Sequence, residues 1–152
     1  ALLEQAVREY IAIFHSDTQP RELAALRRLA LAWMERLAPF RPHLTGAVWN
    51  GTATRRSAIR LQLFCDDPKS AEIALIDQRL RYNVQTVTGW RGEPVEALCL
   101  LCPCPELGEP ADVVLTIYDR DDLRGALKPG TDGSAVRGDR DALLARMAEQ
   151  HI

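Results

Sequence analysis

The sequence has no apolar run near the roughly 18 residues that a membrane-spanning helix needs, so we expect no membrane contact. It also has no charge excess. Its 19 Lys and Arg residues against 21 Asp and Glu residues leave a formal net charge of −2, which argues against nucleic acid binding through a general basic surface. The first ten residues, ALLEQAVREY, lack the basic and apolar segments of a signal peptide. We therefore expect a cytoplasmic protein.

The four cysteines lack the spacing of a disulfide framework or of a metal site. Cys99, Cys102 and Cys104 lie close together, and Cys65 stands alone. A structural zinc site takes four ligands, usually as two separated pairs, and Cys65 falls on the core-facing side of a predicted strand. We expect free thiols in or near the core, with no metal or other cofactor.

The composition is that of one globular domain. A chain of 152 residues is long enough for one sizeable hydrophobic core. We divide the domain into a helical lead-in over residues 1–39, an α/β core over 40–127, and a loop with a C-terminal helix over 128–152.

Hydrophobic periodicity predicts an alternation of helices and strands. The predicted helices cover residues 2–14, 21–38, 67–80, 119–127 and 140–150; the predicted strands cover 44–49, 58–65, 82–88, 95–101 and 112–118; a turn covers 50–57 and a loop covers 128–138. This order predicts an α+β fold, in which a small mixed β-sheet has helices packed on one face.

Two basic residues in the second helix, Arg27 and Arg28, suggest a DNA-binding helix-turn-helix. They lie off the apolar stripe of that helix, however, and the chain as a whole is slightly acidic. We interpret them as solvated arginines on a helix that packs against the sheet.

The second face of the predicted sheet is partly open, and we expect a site there. Alternation along the strand over 58–65 points Ala58, Arg60 and Gln62 toward that face. On the later strand, Asp112 and Thr116 point the same way.

The segment 46–63 contains a recognisable arrangement of small and strand-forming residues. Gly46-Ala47 is a small pair after an apolar strand, and residues 57–61 read SAIRL at the start of the next strand. The segment resembles the core motif of the nucleotidyltransferase fold, the DNA polymerase beta-like superfamily, whose members read Ser-Asp-Ile-Asp-Leu at 57–61. The resemblance implies a nucleotidyltransferase-like fold.

In that family, two carboxylates on one strand and a third on a neighbouring strand hold two Mg²⁺ ions. This chain has Ala58 and Arg60 at the paired positions, and Asp112 matches only the third. Alanine offers no ligand, and a guanidinium repels a metal ion. The resemblance therefore implies a member without catalysis, which acts as a ligand- or partner-binding domain and needs no cofactor.

Two alternatives stay open at this point. One is an active nucleotidyltransferase with an atypical Mg²⁺ site that includes Asp112. The other is a structural or regulatory subunit without a small-molecule site. The expected partner is accordingly a nucleotide or phosphate ligand, or another protein.

Without metal ions, the turn and its arginines favour an anion site, because backbone amides, hydroxyls and guanidinium groups bind phosphate. The predicted ligand-binding residues are Gly46, Gly51, Thr52, Thr54, Arg55, Arg56, Ser57, Arg60 and Asp112. We hypothesise that Arg60 takes the electrostatic place of the missing metal ions. The alternative is that Arg55 and Arg56 are solvated and that Arg60 pairs with Asp112 across the sheet.

Overall fold

A computed structural model describes residues 19–126 and 135–149. These residues form an α+β fold, as predicted, with five α-helices and a six-stranded mixed sheet. The helices are α1 (Gln19–Arg36), α2 (Gly46–Asn50), α3 (Ser70–Asp77), α4 (Leu123–Ala126) and α5 (Arg140–Glu149). The strands are β1 (His43–Thr45), β2 (Ile59–Cys65), β3 (Asn83–Thr88), β4 (Pro94–Cys102), β5 (Ala111–Asp119) and β6 (Arg137–Gly138). None of these helices is both long and apolar enough to cross a bilayer.

The strands lie in the order β3-β4-β5-β2-β1-β6. The central pair, β2 and β5, is parallel, whereas all other neighbouring strands are antiparallel. Since β2 and β5 are joined by α3 and the β3–β4 hairpin, the crossover brings residues about fifty positions apart side by side. In this register Arg60 lies beside Val114, and Gln62 lies beside Thr116.

One face of the sheet is covered by helices and forms the main core. Helices α1 and α3 contact β2, and α5 contacts β1. The one-sided strands predicted by alternation are confirmed, because their core-facing side chains are buried here. These side chains are Ile59, Leu61, Leu63, Val113, Leu115 and Ile117, and they pack with Leu23, Leu26, Ala30, Trp33 and Met34 of α1.

The opposite face has a smaller cluster and remains partly open. Phe64 and Tyr118 are buried there with their ring centroids 5.6 Å apart, and Leu123 of α4 packs against them. Farther along the same strands, Arg60 and Asp112 are exposed. This is the face on which the sequence places a site.

The predicted strand over 44–49 is wrong in its second half. Strand β1 ends at Thr45, and residues 46–50 form the short helix α2. Gly46 (φ +77°) and Gly51 (φ +90°) adopt left-handed conformations at the two ends of that helix, which glycine does readily. The buried Val48 and Trp49 made the segment apolar, and a short apolar run does not distinguish a strand from a buried helical turn.

Other boundaries also differ from prediction or lie outside the described residues. Helix α3 starts at Ser70, and Asp67 instead caps the preceding turn by accepting a 2.9 Å hydrogen bond from the Lys69 amide. The end of the predicted loop over 128–138 forms β6, in which Gly138 pairs with Leu44. The predicted helix over 2–14, the last residue of the predicted helix over 119–127 and residues 128–134 of the predicted loop lie outside the described residues.

Arg27 is a further correction, because it is not solvated. Its exposed fraction is 1%, and it donates 2.9 Å hydrogen bonds from Nε to the Val48 carbonyl and from Nη2 to the Trp49 carbonyl. These carbonyls lie in the last turn of α2, where backbone acceptors lack partners within the helix. Arg28 is exposed, as expected, and forms an ion pair with Glu106.

Candidate functional site

Arg60 on β2 lies beside Gly46, the first residue of α2. A Cβ placed on Gly46 would lie 3.2 Å from Cδ of Arg60, so the aliphatic part of the arginine passes over the glycine. The residue is exposed, and within residues 19–126 and 135–149 it has no hydrogen-bond or ion-pair partner. The cross-sheet pair with Asp112, weighed above as an alternative, is not formed there.

A second arginine lies on the same face. Thr45 of β1 pairs with Arg60 on one side and with Arg137 of β6 on the other, so the three residues form a row across neighbouring strands. Arg137 donates a 2.6 Å hydrogen bond from Nε to Oε1 of Gln62, and its guanidinium carbon lies 5.5 Å from the Trp90 ring centroid. Burial lowers the pKa of Arg137 from its usual range.

Sequence reasoning missed Arg137 as a site residue. It falls at the end of the predicted loop, where no periodicity marks it as part of a strand. Only the pairing of β6 with β1 brings it beside Thr45. A two-residue strand has no sequence signal of its own, because one inward and one outward residue do not define an alternation.

Another aromatic–cationic pair lies near this row. Arg91 places its guanidinium carbon 4.4 Å from the Trp90 ring centroid and forms a 3.1 Å ion pair with Asp122. The backbone amide of Trp90 donates to the Tyr118 hydroxyl at 3.1 Å. Because Asp122 balances its charge, Arg91 adds less to the positive potential of this face than Arg60.

The predicted turn residues largely bond to one another. The Thr54 amide donates to Oγ of Ser57 at 3.0 Å, and the Ser57 amide donates back to the Thr54 carbonyl at 2.9 Å. The Thr52 amide donates to the Ala47 carbonyl at 3.0 Å. The carbonyl of Gly51 accepts a 3.3 Å hydrogen bond from Nε2 of Gln19. These amides therefore close the turn and leave few donors for a ligand.

The two arginines of the turn differ in their surroundings. Arg55 donates from its amide (3.0 Å) and from Nε (2.9 Å) to the same carboxylate oxygen of Glu22 in the first turn of α1. Glu22 is itself buried, so this pair fixes the turn against α1. Arg56 is exposed. No hydrogen bond or ion pair between described residues joins Arg55 or Arg56 to another residue of the predicted site by its side chain, and the anion cradle that combines them with Arg60 stays a prediction.

Asp112 and the cysteines complete the predicted site residues. Asp112 is exposed on β5 and pairs with Leu101 of β4. In the described part of the chain, no three His, Cys, Asp or Glu side chains are grouped in a way that could hold a metal ion. The four cysteines are free thiols. Burial raises the pKa of the Cys65 thiol, and Cys102 accepts a 3.3 Å hydrogen bond from Nε1 of Trp33.

Comparison with known proteins found no family model and no curated protein that matches this chain. The interpretation of the site therefore depends on its residues and their geometry. Of the predicted site residues, Arg60 lies against Gly46, while Thr54 and Ser57 bond to each other in the turn. The residues near Arg60 that sequence reasoning did not include are Thr45 and Arg137.

Proposed function

We propose that this chain is a nucleotidyltransferase-like protein without catalysis, which binds an anionic ligand, a nucleotide or a phosphate, without a metal ion. The observation that carries the proposal is the exposed guanidinium of Arg60 at the position of the second carboxylate of the motif. Arg60 supplies positive charge where the resemblance places metal ions.

The local chain order supports the resemblance. Strand β1 leads into Gly46, α2 follows, and β2 then carries the Ala58 and Arg60 positions. Strand β5 lies beside β2 and carries Asp112, the match to the third carboxylate. A strand, a small residue at a helical turn and a second strand are the parts that the motif requires.

The row formed by Arg60, Thr45 and Arg137 supports an anion as the ligand. Neighbouring strands are about 4.8 Å apart, so the two arginine backbones are separated by about 10 Å. Two long side chains that project from one face can converge on one phosphate group over that separation. Guanidinium groups bind phosphate oxygens through paired hydrogen bonds, and burial of Arg137 strengthens its interaction with an anion.

The proposal is tested by thermal-shift and calorimetric titration with inorganic phosphate, ATP, GTP, CTP and UTP, each with and without Mg²⁺. A ligand that binds the native state raises the melting temperature. We expect binding that does not need Mg²⁺ and that weakens at least about tenfold in Arg60→Ala, which corresponds to about 1.4 kcal/mol. Arg81→Ala is the matched control, because it removes one exposed arginine just before β3 at the far edge of the sheet.

Each other outcome favours a different function. Unchanged binding by Arg60→Ala would refute the role of Arg60. A shift that requires Mg²⁺ and is lost in Asp112→Asn would favour the active enzyme with an atypical metal site. No shift with any ligand in either condition would favour a structural or regulatory subunit.

A further inference from the structure

Strand β3 forms one edge of the sheet and pairs with β4 alone. Within residues 19–126 and 135–149, no strand lies along its outer side. The strand is six residues long, Asn83–Thr88, and so spans about 20 Å. The opposite edge is much shorter, because β6 has only two residues. An open edge of the length of β3 is a template for pairing with another strand.

The hydrogen bonds of the hairpin turn show which backbone groups of β3 face outward. The Gly89 amide donates to the Glu93 carbonyl at 2.6 Å, so this pair, next to the end of the ladder, is a hydrogen-bonded one. Hydrogen-bonded and non-hydrogen-bonded pairs alternate along antiparallel strands. Pro94 opposite Thr88 therefore falls in a non-hydrogen-bonded pair, as its missing N–H requires. The same alternation directs the N–H and C=O groups of three residues away from β4: Val84, Thr86 and Thr88.

Strand β3 also lacks the features by which edge strands usually avoid pairing, which are charged side chains, proline and bulges. Residues 83–88 read NVQTVT and contain neither a charged residue nor a proline. Their register with β4 runs through all six positions without a bulge. Val84 is 52% exposed although it is apolar. The edge is therefore open to another strand through both its backbone and its side chains.

A second copy of this chain is the partner that fits this edge. A twofold axis perpendicular to the sheet places β3 antiparallel to its own copy, so that the outward N–H groups of each strand meet outward C=O groups of the other. Residues close together in sequence then face each other across the axis, and a charged strand would bring like charges together. Strand β3 has no charge to repel its copy, and none with which to select a charged partner of another kind.

Helix α3 adds apolar surface beside this edge. Its Glu72 accepts a 2.6 Å hydrogen bond from the hydroxyl of Tyr82, the residue directly before β3, so this side of the helix lies toward the start of β3. Ile76 is four residues after Glu72 and therefore lies on the same side of α3. Its exposed fraction is 56%. Ile76 and Val84 thus offer apolar contacts to a chain that pairs with β3.

We propose that two copies of this chain pair antiparallel through β3 and form a symmetric dimer with one continuous sheet. Two edges of about 20 Å bury less than the roughly 1,200 Å² of a stable interface, so the dimer is reversible, with a dissociation constant on the order of 10 µM. Only the short β6 then remains at each end of the sheet, so association stops at two copies. Strands β4 and β5 separate this edge from Arg60 on β2.

The test combines sedimentation velocity with residue-resolved hydrogen exchange on the full chain, at concentrations well below and well above that dissociation constant. We expect a monomer in dilute solution and a dimer in concentrated solution. The amides of Val84, Thr86 and Thr88 should exchange rapidly in the monomer and several-fold more slowly in the dimer. The amides of Gln85 and Val87, which bond to β4, should be protected at both concentrations.

Substitutions of Thr86 separate backbone pairing from other contacts. Thr86→Pro removes an outward N–H without removing a bond to β4, a position at which edge strands accept proline, and it should weaken dimerisation at least tenfold. Thr86→Val is the matched control, because valine has the shape of threonine and keeps the amide; it should dimerise at least as tightly as the parent. Val84→Lys tests the same edge with an unchanged backbone, since it places a charge on each strand of the pair, and it should also weaken the dimer. Circular dichroism shows whether each variant is folded.

Several results would overturn the proposal. They are a chain that stays monomeric at high concentration, a dimer that persists in folded Thr86→Pro or Val84→Lys, and assemblies larger than a dimer. A dimer in which the three outward amides still exchange rapidly would place the interface elsewhere. Protection of these amides only after another protein is added would show that the edge binds a different chain. Failure of nucleotides to bind the Arg60 site would leave this proposal unaffected.

Discussion

Gly138 has no room for a side chain, so its replacement should destabilise the protein. A Cβ at this position would lie 2.5 Å from Cζ3 of Trp49 and 2.9 Å from Cβ of Ala142. Its φ is not in the left-handed region, so alanine is acceptable to the backbone and the cost is steric. Gly138→Ala therefore measures how firmly β6 is packed against Trp49.

The Trp49 ring is held in place by other contacts. It is 3% exposed, its Nε1 donates to the Ala135 carbonyl at 3.2 Å, and the guanidinium carbon of Arg146 lies 3.8 Å from the ring centroid. The ring or β6 must shift to admit a methyl group, and overpacking of this kind costs about 2 kcal/mol. In a chain of this length, that loss lowers the melting temperature by about 4–8 °C.

A double-mutant cycle separates the clash from other causes. Trp49→Phe shortens the aromatic side chain and removes the part of the ring that Cβ would meet. Urea unfolding followed by circular dichroism should show that Gly138→Ala costs less than half as much in the Trp49→Phe background, because the two residues are coupled. Equal costs in both backgrounds, or a cost below about 0.5 kcal/mol in the parent, would refute the reasoning.

Three further predictions concern single residues. The Glu72 carboxylate accepts a 2.6 Å hydrogen bond from the Tyr82 hydroxyl and raises the pKa of Tyr82 to about 12. Glu72→Gln should therefore move the Tyr82 pKa toward 10 in an ultraviolet titration, and an unchanged pKa would contradict this. Burial lowers the pKa of His43 below 6.5, so as the pH falls the unfolded chain binds a proton at this histidine before the folded protein does. The contribution of His43 to the free energy of unfolding should be complete above about pH 6.5 and decrease at more acidic pH. In urea unfolding, His43→Gln should lose less stability on acidification, and an equal loss would argue against this reasoning. Gly46 has φ +77°, so Gly46→Ala should cost about 1–2 kcal/mol in urea unfolding, and a neutral effect would show that the backbone there relaxes.

The central strands could be predicted from the sequence because apolar residues alternate along the core-facing side of each. In β2 and β5, apolar residues such as Leu61 and Leu115 alternate with polar residues such as Arg60 and Asp112. The apolar positions indicate which face of the sheet the helices cover. The turn between β3 and β4 includes Gly92 in a left-handed conformation, and a glycine of this kind is typical of a hairpin turn. The α+β class and the helix-covered face are confirmed on this basis.

The remaining features depend on contacts between residues distant in sequence. Arg27 resembles a solvated arginine by its position off the apolar stripe, yet α2 supplies carbonyls that bury it. Arg137 joins the Arg60 face only through β6. Arg55 is turned toward Glu22 of α1, 33 positions away. Local hydrophobic periodicity does not predict which distant residues a polar side chain will contact. The polar residues of a site are therefore harder to predict than those of the hydrophobic core.

The position of β5 between β2 and β4 has a consequence for the order of folding. During synthesis, the β1–β2 pair and the β3–β4 hairpin are complete before β5 emerges, but no strand joins the two pairs until it does. Contacts that close over many residues form slowly. The edges of β2 and β4 that pair with β5 should therefore stay unpaired in the nascent chain until about residue 119 leaves the ribosome, and a chaperone that shields such edges would act in this interval.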